Sequence, residues 1–177
     1  MLRLLLGGAR SGKSALALEL ASSGAAPVTF LATGEASDDE MAERIALHRS
    51  QRPAPWGTVE EPIELEKALR GIADRSTVVV DCLTLWVANL LAVGYDDDAA
   101  VAAAGAVAAL CAERRGKAIV VSNEVGSGIV PTDNSLSRRY RDLLGRVNIV
   151  FAQRADDAFL VVAGRVLALM PAMSVIQ

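Results

Sequence analysis

The sequence predicts an α/β fold: a mostly parallel sheet flanked by helices on both faces and closed at one edge by a C-terminal hairpin. Three observations carry that prediction. Short runs rich in valine, isoleucine and leucine alternate with longer helical stretches along the whole chain. The first apolar run, Leu2–Leu6, passes straight into a glycine-rich loop and an alanine/leucine-rich helix. The last apolar run, Val161–Leu169, is broken by Gly164-Arg165 and reads as a hairpin.

Taken in order, strands are expected at Leu2–Leu6, Val28–Ala32, Thr77–Asp81, Ala118–Ser122 and Ala158–Ala163. Helices are expected at Lys13–Ser22, Asp38–Gln51, Ile63–Ala73, Leu83–Ala92, Asp97–Arg115 and Ser135–Arg154. The proline-rich Arg52-Pro53-Ala54-Pro55-Trp56 is a loop between elements. At 177 residues the chain suits one domain, 1–177, with a full-sized core. Its residues are 52% hydrophobic and 22% charged, the balance of a globular chain. A net charge of −3 argues against broad nucleic-acid binding, so anionic ligands must be attracted locally. No run has the length and composition of a targeting segment or a membrane span; the longest apolar stretch, Ala99–Ala112, is mostly alanine and includes Gly105. Cys82 and Cys111 belong to no C-x-x-C pair and read as unrelated core thiols in a reducing cytoplasm.

Gly7, Gly8, Ala9, Arg10, Ser11, Gly12, Lys13 and Ser14 satisfy the pattern G-x-x-x-x-G-K-[ST]. Between a strand and a helix this is a phosphate-binding P-loop, and the fold class becomes a P-loop NTPase of RecA-like type. Glycines let the backbone N–H groups curl toward phosphate oxygens, and the helix dipole adds to their field. Lys13 would reach the β- and γ-phosphates, and the Ser14 hydroxyl would ligate Mg²⁺. Asp81 ends the strand Val78-Val79-Val80-Asp81, where a carboxylate can hold the same Mg²⁺, directly or through water. Helix N-capping is the alternative for an acid at this place, and Thr84 could equally cap the helix that follows.

The single histidine, His48, lies in the amphipathic helical stretch that runs from Asp38 to Arg52. Arg44, His48 and Arg52 fall at i, i+4 and i+8 and are expected on one stripe, with Arg49 beside it. Guanidiniums around an imidazole disfavour its protonated form, leaving a neutral nitrogen able to attack phosphorus. On spacing alone His48 fits a surface or edge-of-core residue as well as a nucleophile.

Several stretches together resemble one family. They are the loop Gly7–Ser14 in the form G-G-A-R-S-G-K-S, Ala32-Thr33-Gly34, Asp39-Glu40-Met41 with Arg44-Ile45 and His48, and Arg52-Pro53 followed by Trp56. To these are added Asp81-Cys82-Leu83-Thr84-Leu85-Trp86 with Asn89, Val121–Gly126 leading to Gly128-Ile129-Val130-Pro131, and Arg141-Asp142 with Gly145 and Asn148. The chain resembles, from residue 3 to about 170, the bifunctional adenosylcobinamide kinase/adenosylcobinamide-phosphate guanylyltransferases of cobalamin synthesis. The resemblance implies phosphorylation of adenosylcobinamide by ATP or GTP, then transfer of GMP from GTP to adenosylcobinamide phosphate through a phosphoramidate on His48. It also implies nucleotide contacts at Gly7–Ser14, Ala32, Thr33, Gly34, Arg49, Ser50, Gln51, Arg52, Glu60 and Asp81, and a homotrimer. Glu60 could accept hydrogen bonds from guanine N1–H and the exocyclic amine, or be a solvated acid. Two positions depart from the family pattern: Ile149, where glutamine is common after Asn148, and Val166, where proline is usual in the last hairpin.

Two other readings of the residues compete. One is a plain small-molecule P-loop kinase with His48 incidental. The other, a GTPase switch, lacks the Asn/Thr-Lys-x-Asp motif, and its D-x-x-G element occurs only as Asp142–Gly145 inside a helical stretch.

Overall fold

The computed structural model describes residues 1–36, 39–50, 52–128, 132 and 134–175, with all their side chains except those of Arg44, Met173 and Val175. The strands are β1 (Leu2–Leu6), β2 (Val28–Ala32), β3 (Gly57–Glu60), β4 (Thr77–Asp81), β5 (Ala118–Val121), β6 (Asp157–Val162) and β7 (Arg165–Leu169). They form one sheet in the order β3-β2-β4-β5-β1-β6-β7. Every pairing is parallel except β6 with β7, the expected edge hairpin. The helices are α1 (Lys13–Ser22), α2 (Asp39–Ser50), α3 (Leu65–Gly71), α4 (Leu83–Ala92), α5 (Asp97–Glu113) and α6 (Ser135–Arg154).

Strand periodicity of two sends alternate side chains into two cores, as a sheet covered on both faces requires. Leu2, Leu4 and Leu6 of β1, Val78 and Val80 of β4, and Ala118 and Val120 of β5 join the core under α3–α6, with Trp86, Leu143 and Phe151. Leu5, Val79, Ile119 and Val121 point the other way and meet Phe30, Ala17 and Ala21 under α1.

The sheet order places β5 between the loop-bearing β1 and the Asp81-bearing β4, a RecA-like arrangement. Helix α1 leaves β1 and packs across β5 and β4. That oblique course carries the start of α1 over to the end of β4.

Two elements differ from the sequence expectation, and a third makes a contact that the sequence did not announce. No element was expected at β3; its four residues contain one aliphatic side chain, Val59, and its exposure at the sheet edge explains the weak signal. Among the described residues helix α2 runs to Ser50 and Arg52 lies outside it, because Pro53 disfavours helical geometry at the residue before it. The hairpin, remote from the loop in sequence, touches it in space: Gly164 N–H donates to Ser11 O at 2.8 Å. No helix among the described residues is long and apolar enough to cross a membrane.

Candidate active site

The loop's glycines answer to specific contacts. A β-carbon on Gly7 would collide with the Val161 carbonyl oxygen and stand 2.7 Å from Ser11 Oγ. Gly12 caps α1 with a left-handed φ of +99°, and a β-carbon there would lie 3.3 Å from Gly164 Cα. Lys13 is buried, and its Nζ donates across the loop to Gly8 O at 2.9 Å. The first turn of α1 holds no acidic residue, so the positive end of its dipole faces the loop uncompensated. Ser11 Oγ is buried with no hydrogen-bond partner among the described residues. A buried hydroxyl left unsatisfied is costly, and a phosphate oxygen in the cradle would satisfy it.

Asp81 meets Ser14 at the end of β4, the hydroxyl near enough to favour the ionised carboxylate. Burial pushes the Asp81 carboxyl above its ordinary value; the Ser14 hydroxyl and the charges of His48, Lys13 and Arg52 offset this in part. A carboxylate undercompensated by its surroundings, beside a hydroxyl oxygen, is a donor pair suited to Mg²⁺, which binds through one or two protein oxygens and takes the rest from phosphate and water. Among the described residues no cluster of three or more His, Cys, Asp or Glu offers a fuller protein cage. Thr84 does not cap α4: the cap position is Cys82, without a side-chain bond, and the Thr84 hydroxyl accepts the Asn123 N–H at 2.8 Å.

Two adjoining cavities open at this end of the sheet. The first is lined by Phe30, Ala32, Gly34, Met41, Ile45, Arg52, Glu60, Asp81, Cys82, Thr84 and Leu85. The second runs along Ala9–Ala15 of the loop and α1, opposite Glu40, Glu43 and Leu47 of α2. Lys13, Ser14, His48 and Asn123 line both. His48 therefore stands opposite the cradle and beside the pocket that ends at Glu60. Cys82, on the wall of the first cavity, is held as the thiol, its pKa pushed up to about 11 chiefly by burial.

The remaining candidate residues separate into groups. Arg52 lies beyond α2 and lines the first cavity with His48, its guanidinium 3.9 Å from the centre of the Phe30 ring and Nη1 donating to Thr58 Oγ1 at 3.4 Å. Burial lowers its pKa, against the raising influence of Asp81 and Glu60. Arg49 pairs with Glu60 at 3.4 Å on the surface, and Ser50 Oγ donates to Leu47 O; neither Arg49 nor Ser50 lines either of these two cavities. Thr33 is wholly buried; its hydroxyl donates to Cys82 O at 2.7 Å and accepts from Cys82 N–H at 2.8 Å. It ties β2 to the end of β4 and does not face the cavities. Gln51 and the segment Ile129-Val130-Pro131 lie outside the described residues, as does the Arg44 side chain.

Sequence reasoning assigned no site role to Phe30, Met41, Ile45 or Asn123. Asn123 carried a usable signal: like Asp81, it stands at the carboxyl end of an apolar run, where parallel sheets place their ligand groups.

Comparison with known proteins agrees with this geometry. A family profile described as cobinamide kinase / cobinamide phosphate guanyltransferase matches residues 3–169. The bifunctional adenosylcobalamin biosynthesis protein CobP of Pseudomonas aeruginosa is 45% identical over 163 residues, covering 91% of this chain and 92% of that protein. The bifunctional adenosylcobalamin biosynthesis protein CobU of Salmonella typhimurium is 42% identical, covering 93% of this chain and 97% of that one. A solved structure from Pyrococcus horikoshii OT3 shares the fold alone, with a TM-score of 0.57 at 9% identity over 94% of this chain and 84% of that one. A P-loop opposed by a helical histidine, on a sheet matched by this profile almost from end to end, places the chain in the cobinamide kinase / cobinamide phosphate guanyltransferase family.

Proposed function

We propose that the protein phosphorylates adenosylcobinamide with ATP or GTP and then builds adenosylcobinamide-GDP by way of a guanylylated His48. The observation that supports both halves is the shared wall of Lys13, Ser14, His48 and Asn123 between the loop cavity and the Glu60 pocket. In the first reaction the substrate hydroxyl oxygen bonds to the γ-phosphorus as the bond to the β–γ bridging oxygen breaks, and the nucleoside diphosphate leaves. The chain's part is positioning and charge: Gly7–Ser14 hold the phosphates, and Lys13 offsets their negative charge. Mg²⁺, held by Ser14 and Asp81 when bound, would neutralise charge on the β- and γ-oxygens.

In the second reaction an imidazole nitrogen of His48 bonds to the α-phosphorus of GTP and pyrophosphate departs. A phosphate oxygen of adenosylcobinamide phosphate then bonds to that phosphorus and the nitrogen–phosphorus bond breaks. Glu60 would read the guanine, with Ala32, Gly34 and Arg52 bounding the pocket. Both nucleotides would use one cradle. Residues 1–177 would act as one domain, in the cytoplasm, where Cys82 and Cys111 remain free thiols. Self-association, as the trimer implied by resemblance, is supported by the edge strand β7. Val166, Leu167 and Leu169 of that strand, with Val162 and Met170 flanking, are all exposed.

The experiment is incubation with α-labelled GTP. An acid-labile, alkali-stable adduct mapping to His48 is expected, and His48→Ala should lose it while phosphorylation suffers far less. Label persisting in the variant, or equal loss of both reactions, would overturn the assignment.

A further inference from the structure

We infer that Asn123 is a substrate-contacting residue of the phosphoryl-transfer step: its side-chain amide grips the γ-phosphoryl group and orients the attacking hydroxyl. The inference rests on the function proposed above and adds to it a residue for which neither the motifs nor the spacing supplied a role.

The main chain around Asn123 is fixed from four sides. Ser122 N–H donates to Leu5 O at 2.9 Å and Glu124 N–H to Gly7 O at 3.2 Å, which ties the segment to the strand and loop that carry the phosphate cradle. Asn123 N–H donates to Thr84 Oγ1 at 2.8 Å, which ties it to the start of α4 beside Asp81. Asn148 of α6 closes the frame: its Nδ2 donates to Asn123 O at 3.0 Å, and its Oδ1 accepts from Ser122 Oγ at 2.6 Å. The sheet order gives the location its meaning, because β5 lies between β1 and β4 and its end must fall between Lys13 and Asp81.

The asparagine side chain is the one group in this frame with no assigned partner. Asparagines that serve as loop staples use their amide on nearby backbone, as Asn134 does in accepting Ser137 N–H at 3.2 Å. The Asn123 amide makes no such bond among the described residues and lines both cavities. An amide there offers two N–H donors to a phosphate oxygen and a carbonyl acceptor to a hydroxyl, without the repulsion a carboxylate would bring to a triphosphate. It takes no proton: the hydroxyl proton passes to water as the new oxygen–phosphorus bond forms. Donors aimed at charge that develops in the transition state are worth about a hundredfold or more in rate.

The test compares Asn123→Ala and Asn123→Asp with the wild type. Phosphorylation of adenosylcobinamide by ATP should fall about a hundredfold in kcat with a far smaller change in KM, and at least tenfold more than labelling of His48 by α-labelled GTP. Titration calorimetry with ATP and ADP should show the preference for ATP reduced in Asn123→Ala and reduced further in Asn123→Asp. A kcat within threefold of wild type, equal losses in both reactions, or an unchanged ATP/ADP ratio would each overturn the inference. Should Asn123→Ala not fold, the near-isosteric Asn123→Asp decides by the same criteria. If the wild type phosphorylates no cobinamide, the proposed function fails, while the ATP/ADP ratio still judges Asn123.

Discussion

The phosphate cradle and the helix that carries His48 face each other across one cavity and are built in opposite ways. The cradle is fixed by its neighbours: Gly7 O accepts from Glu124, Ser11 O from Gly164, and Gly8 O from the Lys13 ammonium. Thr33 fastens the adjoining β4 end through both polar groups of Cys82. Helix α2, by contrast, fully buries none of its described side chains. It rests on Met41 and Ile45; Ile45 packs where a β-carbon on Gly34 would stand 3.5 Å from its Cδ1. Beyond that seam lies the exposed Arg49–Glu60 pair, which contributes little in water. A helix of 12 residues is marginal without tertiary support, so α2 belongs to the part of the molecule that opens at low free-energy cost. The contrast suits the proposed chemistry: phosphates are received by a preformed surface, and the nucleophile is delivered by an element able to re-aim.

The strongest test of this division is Lys13→Ala. Both reactions should fall together by about a hundred- to a thousandfold in kcat/KM, since one cradle serves both. Loss confined to one reaction would mean that each has its own nucleotide seat.

Asp81→Asn probes how the cradle was built for ligands instead of stability. Burial raises the folded-state pKa of Asp81 above 3.8, so between that pH and the folded value the native chain holds a proton the unfolded chain has released. Stability therefore falls as pH rises through this window, and the asparagine variant escapes the loss. Its melting temperature should equal that of wild type below pH 3.8 and exceed it at pH 8. Phosphorylation at pH 8 should be severely reduced. A variant less stable than wild type at pH 8 would show that the carboxylate is a structural asset.

The smallest effect is expected from Ile45→Ala. Hydrogen exchange should be faster in α2 than in β1, β4 and β5, and this variant should accelerate it about tenfold within α2 alone. Its global urea stability should move by about 0.5 kcal/mol or less. A loss of 2 kcal/mol or more, of the order seen for truncation in a core, would show α2 to be integral to the fold.

Much of this was legible in the sequence because it is local. The loop, its strand and its helix are contiguous, and Asp81 ends a run whose burial is written in three valines. What escaped was tertiary. Thr33 sits beside the candidate pocket residues in sequence, but its hydroxyl meets a peptide 49 residues away. Pro53 keeps Arg52 out of regular helix, yet the fold still brings Arg52 to the cavity that His48 lines. Val166 stands two residues after Gly164, whose backbone packs on the cradle, so a departure in the last hairpin is nearer the phosphate site than its number suggests.

Residue Gly164, resting on Ser11 and Gly12, links the closing hairpin to a loop that precedes it by about 150 residues. β1 finds its two sheet neighbours, β5 and β6, only after more than a hundred further residues have been translated. The glycine loop thus emerges well before its sheet neighbours and matures late, and a nascent chain halted before the β6–β7 hairpin would display the motif without the ability to grasp a nucleotide firmly.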